Sequence, residues 1–285
     1  MTRRVLVPLD GSPLAERALG CAAPLARATG ARLLLVRASG SGSDEEWSEE
    51  LALERARHDL RATATRLRRD GLAVDWVARA GDPSRAIVEA ARERAVDLIA
   101  MGTHGRRVGD GWGYGSVADE VIRRAPGLPV LLVPASCDPV RHADRPRIVV
   151  LLDGSALAEQ ILPPVGELAR GMDGSVVLLR ADERAGPATE SYLRDLAGAS
   201  ALEGVAVDVR AEPGDVRQAV SATERAVGGA DVIAMATHGW TGLERVLMGS
   251  VAADVLRGTT CPVLVLRPVG LRDEGDDPAE PTLDA

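Results

Sequence analysis

Two short constellations in this chain have the residue types and spacing of a polyanion cradle. Met101-Gly102-Thr103-His104-Gly105 is followed, after nine residues, by Gly115-Ser116. Met235-Ala236-Thr237-His238-Gly239 is followed, after the same gap of nine, by Gly249-Ser250. Glycine has no Cβ, so backbone N–H groups can approach phosphate oxygens closely. The N-terminus of a following helix adds further N–H donors and a favourable dipole. Ser116 and Ser250 can cap that helix or offer a hydroxyl to a phosphate. Upstream of each constellation an apolar run ends in Asp-Gly-Ser, at Asp10 and at Asp153. Such a carboxylate either accepts from ribose hydroxyls or touches a bound metal, or it is a helix N-cap or turn residue; its occurrence in both copies favours the first reading.

These residues need a scaffold that brings them to one edge. The first copy reads as strand 4–10, helix 15–29, strand 31–38, helix 45–69, strand 73–80, helix 84–94, strand 97–101, helix 116–124 and strand 129–134. The second repeats the order with strand 147–153, helix 156–170, strand 175–181, helix 189–202, strand 206–211, helix 216–227, strand 231–235, helix 251–257 and strand 262–267, and is shorter between its second and third strands. Short apolar runs alternating with amphipathic segments predict parallel βαβ units, with helices on both faces of each sheet. In such open α/β sheets ligands sit at the carboxyl ends of the strands, where strand order reverses. The repeat is too long for a solenoid unit. It predicts two tandem domains, 1–135 and 146–270, joined by a Pro-, Asp- and Arg-rich linker at 136–145. Residues 271–285 hold six acidic residues against Arg272 and read as a disordered, solubilising tail.

Composition excludes several chemistries. All 34 Lys-plus-Arg residues are arginine, so neither a Schiff-base lysine nor a Gly-Lys phosphate loop exists here. The three cysteines, Cys21, Cys137 and Cys261, are far apart, which argues against a disulfide framework or thiolate zinc site and fits a reducing cytoplasm. Net charge is −8, and no basic stripe points to nucleic acid. No apolar run reaches membrane-spanning length, and the chain enters a strand-like run too early for a signal peptide. His104 and His238 lack a neighbouring partner in sequence and read as structural residues of their loops. Arg106 and Arg245 either neutralise phosphate charge or are solvated loop charges. Trp112 and Trp240 fall inside the two loops, where they would report on a ligand or pack on a neighbouring domain. Nothing here pairs a nucleophile with a base, which predicts no fast turnover.

The Thr-His-bearing glycine loop, its nine-residue gap to Gly-Ser, and the aspartate at the first strand end together resemble the universal stress protein family. The likeness is to its ATP-binding, tandem two-domain form and covers 2–135 and 146–268. It implies two five-stranded parallel sheets in order 3-2-1-4-5, Rossmann-like in character. It also implies ATP, with or without Mg2+, and association through the last strands, as a homo-oligomer or an internal pseudo-dimer. The nucleotide residues implied in the first half are Leu9, Asp10, Ala38, Met101, Gly102, Thr103, His104, Gly105, Arg106, Gly115, Ser116 and Val117. Those in the second half are Leu152, Asp153, Ala181, Met235, Ala236, Thr237, His238, Gly239, Arg245, Gly249, Ser250 and Val251. Asp10 and Asp153 would face ribose, and the backbone near Ala38 and Ala181 would face adenine. Two departures stand out: Ala236 replaces the first motif glycine of the second copy, and the interior of the first loop is unusually glycine-rich. The implied role is a nucleotide-dependent stress-response module with an unidentified protein partner. The alternatives are a slow ATP-hydrolysing or adenylyl-transferring enzyme, a nucleotide-free interaction module, and a site for cyclic AMP.

Overall fold

The computed structural model describes residues 2–39, 46–103, 115–137, 145–183, 185–237 and 250–270. The acidic tail at 271–285 and the linker at 138–144 lie outside them. The first half runs β1 (Arg4–Pro8), α1 (Pro13–Thr29), β2 (Arg32–Ser39), α2 (Glu46–Arg69), β3 (Val74–Ala80), α3 (Pro83–Glu93), β4 (Leu98–Gly102), α4 (Ser116–Arg124) and β5 (Val130–Val133). The second runs β6 (Arg147–Leu151), α5 (Ala156–Glu159), α6 (Leu162–Gly171), β7 (Ser175–Asp182), α7 (Pro187–Ala197), β8 (Ala206–Pro213), α8 (Val216–Val227), β9 (Val232–Ala236), α9 (Ser250–Gly258) and β10 (Val263–Leu266). Among the described residues, no helix is long and apolar enough to cross a membrane.

Within each half the strands are parallel and follow the expected order, β3-β2-β1-β4-β5 and β8-β7-β6-β9-β10. The two sheets are not separate. β5 and β10 pair antiparallel, Val263 opposite Leu132 and Val265 opposite Val130, giving one ten-stranded sheet. Both strands are apolar and buried along their whole length. Left as edges they would expose unpaired N–H and C=O groups beside apolar side chains.

Strand alternation divides the side chains between two cores. On one face Val5, Leu33, Ile148 and Leu178 meet α1, α2, α6 and α7 through Leu25, Leu60, Leu168 and Leu193. On the other, Leu6, Leu34, Leu132 and Val149 meet α3, α4, α8 and α9 through Ile87, Val121, Val220 and Val255. Each core spans both halves. The central strands are tied at their starts by repeated carboxylates. Asp97 Oδ2 accepts from the N–H groups of Arg3 and Arg4 at 2.8 Å each, and Asp231 Oδ2 accepts from Arg147 N at 2.8 Å.

Two expected helices are interrupted. The helix expected over 156–170 stops at Glu159 and restarts at Leu162, because Pro163 and Pro164 lack N–H groups and suit only a helix's first turn. The helix expected over 189–202 ends at Ala197, before Gly198, and Ser200–Leu202 form a separate 3-10 turn.

Leu132 is fully buried in β5 beside the strand junction. Leu132→Ala is expected to lower the unfolding free energy by about 2–5 kcal/mol, read as a lower urea midpoint with an unchanged slope.

Candidate functional site

The carboxyl ends of β1 and β6 carry the same turn. Asp10 Oδ1 accepts from Ser12 N at 2.8 Å, and Asp153 Oδ1 accepts from Ser155 N at 2.8 Å. Between them Gly11 and Gly154 adopt φ of 82° and 92°, a left-handed conformation that a side chain would strain. Ser12 and Ser155 then cap the next helices, their Oγ atoms accepting from Ala15 N at 3.2 Å and Ala158 N at 3.1 Å. One oxygen of each aspartate therefore builds the turn, as the alternative turn reading expected. Leu9 and Leu152 just before are buried, and their N–H groups donate to Val36 O at 2.7 Å and Leu179 O at 2.9 Å. Their side chains serve the core.

At the end of β4, Met101 and Thr103 are buried, and Gly102 pairs with Val133. Gly115 N donates to Thr103 O at 2.5 Å, which draws the two ends of segment 104–114 together. Gly115 is the N-cap of α4 and supplies no side-chain capping bond. Ser116, expected as a candidate cap, is instead the first helical residue and is exposed. The cap position needs extended backbone, and glycine takes it without offering an acceptor. Val117 is half-buried beside it. Asp119, in the first turn, is half-buried; burial holds its carboxyl above the ordinary aspartate value, with Arg123 acting against that and Glu120 with it.

In the second half Thr237 N donates to Leu266 O at 2.7 Å, and Met235 is buried in β9. Ala236 pairs with Leu266 as ordinary strand and has no positive φ. The missing glycine therefore costs the backbone nothing. His104, Gly105, Arg106, His238, Gly239, Arg245 and Gly249 lie outside the described residues, as do Trp112 and Trp240. Ser250 and Val251 open α9.

A pocket of about 530 Å³ lies where β1 and β2 end against α2, lined by Asp10, Gly11, Arg37, Ala38, Ser39, Ala52, Arg55, Ala56 and Asp59. It joins the expected Asp10 and Ala38 and adds a charged wall absent from the sequence reading. Arg37 Nη1 donates to Asp59 Oδ2 at 2.6 Å. Desolvation acts to raise Asp59, but the hydrogen bond and charge of Arg37, aided by His58 and Arg55, outweigh it and hold the carboxyl below its ordinary value. Arg37 was findable from the repeat, because an arginine recurs at the matching position. Val36 pairs with Pro8 as Leu179 pairs with Leu151, so Arg37 corresponds to Arg180, Ala38 to Ala181 and Ser39 to Asp182. Arg180 has different neighbours. Its Nη2 lies 3.2 Å from Asp182 Oδ2, and its guanidinium carbon lies 5.4 Å from the Tyr192 ring centroid. Among the described residues, no three His, Cys, Asp or Glu side chains converge as a metal site.

Because Ala236 sits in regular strand, Ala236→Gly is expected to lower stability by about 0.5–1 kcal/mol rather than relieve strain. Paired urea titrations of the two proteins check this.

Comparison with known proteins agrees with this architecture. The model of the Universal stress protein family matches residues 1–134 and again 145–267. A Thermus aquaticus protein, "Universal stress protein in QAH/OAS sulfhydrylase 3'region", is 39% identical over 143 residues, covering 47% of this chain and 99% of its own. The fold resembles the crystal structure of a universal stress protein from Archaeoglobus fulgidus, with a TM-score of 0.76 over 94% of this chain and 99% of that one at 22% identity. It also resembles a structure from Pseudomonas aeruginosa UCBPP-PA14, with a TM-score of 0.60, 94% coverage of each chain and 20% identity. Two matches of the family model, over most of a chain whose halves repeat one α/β unit, place this protein in the universal stress protein family.

Proposed function

We propose that this protein is an ATP-binding universal stress protein, a cytoplasmic regulatory module whose nucleotide state governs its docking to a protein partner or to further copies of itself. The observation that carries this reading is the alignment of three features at one sheet edge of the first half. These are the Asp10 turn, the pocket reaching Ala38, and the Thr103–Gly115 neck that leads to a helix without a side-chain cap. In this reading the adenine lies near Ala38 and the ribose near Asp10. The triphosphate, with or without Mg2+, meets the backbone of Gly102–Gly105 and the start of α4 at Gly115 and Ser116. Arg37 and Arg55 supply positive charge to the pocket wall. The matching positions of the second half are Asp153, Ala181, Ala236–Gly239, Gly249 and Ser250.

ATP added to the full chain is expected to raise the unfolding free energy by about 2.7 kcal/mol at a hundredfold excess over Kd. Thermal unfolding, with tryptophan fluorescence as a second readout, checks this. A melting curve and fluorescence both indifferent to millimolar ATP would overturn the reading.

Asp119 adds a pH-dependent term. Its raised pKa means it becomes neutral sooner than an ordinary aspartate as pH falls. Above that titration, Asp119→Asn is therefore expected to tighten ATP binding about two- to fivefold, by removing negative charge from the first turn of α4. The difference should fade as pH falls through the Asp119 titration, where both proteins carry a neutral side chain. ATP's own protonation is common to both and cancels in the comparison.

A further inference from the structure

The two halves place an arginine at the same point beside the same turn and then use it differently. In the first half, Arg37 pairs with Asp59 on α2, at 2.6 Å, and the two line a pocket with Asp10, Gly11 and Ala38. In the second half, Arg180 lies over the turn itself. A Cβ built on Gly154 would fall 2.6 Å from Arg180 Nη1 and 3.0 Å from its guanidinium carbon. Two contacts hold the side chain there. Asp182, which stands where the first half has Ser39, pairs with it at 3.2 Å. The Tyr192 ring lies beneath it at 5.4 Å. Tyr192 Oη in turn donates to Glu159 Oε1 at 3.0 Å, fixing the ring against α5. The exchange follows from the segment after the second strand. The first half supplies Asp59 from a 24-residue helix, while the second supplies Tyr192 from the 11-residue α7.

We propose that Asp182, Arg180 and Tyr192 form an intramolecular latch over the second nucleotide site, so that the chain takes one adenine nucleotide, in its first half, and opens the second site only when Arg180 swings off Gly154. This rests on the nucleotide reading above. The latch acts through population: a site competent in only a small fraction of molecules binds more weakly by that fraction. An ion pair combined with a guanidinium–ring contact corresponds to a penalty on the order of tenfold or more. The second site is thus a reserve site, filled at higher nucleotide concentration than the first.

The test is native mass spectrometry and equilibrium dialysis of the full chain with ATP as the probe. The proteins are wild type, Arg180→Ala, Asp182→Ser, Ala38→Trp and the Ala38→Trp/Arg180→Ala double variant, each checked for an unchanged circular dichroism spectrum. Wild type is expected to bind one ATP. Arg180→Ala is expected to bind a second, with at least about tenfold gain in second-site affinity, and Asp182→Ser, which restores the first-half residue, to gain less. Ala38→Trp fills the first pocket and should abolish binding in the wild-type background, while the double variant keeps one site. Two equivalent sites in the wild type would overturn the latch and leave nucleotide binding intact. One site in wild type that neither Arg180→Ala nor Asp182→Ser increases would overturn it too. Retention of the single site by Ala38→Trp would overturn its assignment to the first half. No ATP on any of the proteins would overturn the nucleotide reading itself.

Discussion

The antiparallel backbone pairing of β5 with β10 is the constraint on which the rest of this molecule depends. Each strand is four apolar residues long and buried on both faces, so neither can end a sheet in water. Joining them turns two repeats into one sheet and lets both hydrophobic cores run across the boundary. It also sets a polarity. All strands of one half are parallel to β5 and all strands of the other to β10, so the carboxyl ends of the halves point to opposite edges of the common sheet. The two Asp-Gly-Ser turns therefore face away from each other.

Around that frame, local chemistry is repeated with few changes. Aspartate, left-handed glycine and capping serine form the same turn twice, with bond lengths that agree closely. The divergence lies one layer out, in what surrounds the turn. Asp59 on one side and Asp182 with Tyr192 on the other decide where equivalent guanidinium groups go. A repeat can thus keep its backbone geometry while its side chains give each copy a distinct electrostatic surrounding.

Much of the fold was legible in the sequence because its signals are local. Apolar runs such as Val5–Val7, bounded by turn residues, mark strands that are buried on both faces, and Ser12-Pro13, Asp82-Pro83 and Gly30 mark helix ends. What escaped depends on tertiary partners or on competing local rules. The paired prolines at Pro163 and Pro164 override a helical pattern that periodicity alone extends through 156–170. Fusion of the two sheets carries no local signal either; it was expected only as the internal pseudo-dimer that the family resemblance implied. Of the candidate site, Asp10 was found through the motif and Ala38 through the family resemblance, and they meet at one pocket, whereas Arg37, Arg55 and Asp59 come from a strand and a helix whose approach no short motif encodes. Ala236 shows the converse: a departure that looks damaging in sequence is harmless because its position is ordinary strand.

The 2.5 Å bond from Gly115 N to Thr103 O gives the first glycine loop clamped ends. A chain segment held at a fixed mouth has already lost its closure entropy, which depends only weakly on the number of residues enclosed. What lies between the clamps can therefore change in composition without moving the sheet or the helix beyond it. In mechanical terms the interior of the first loop is a cartridge between Thr103 and Gly115, in a frame that does not register its composition.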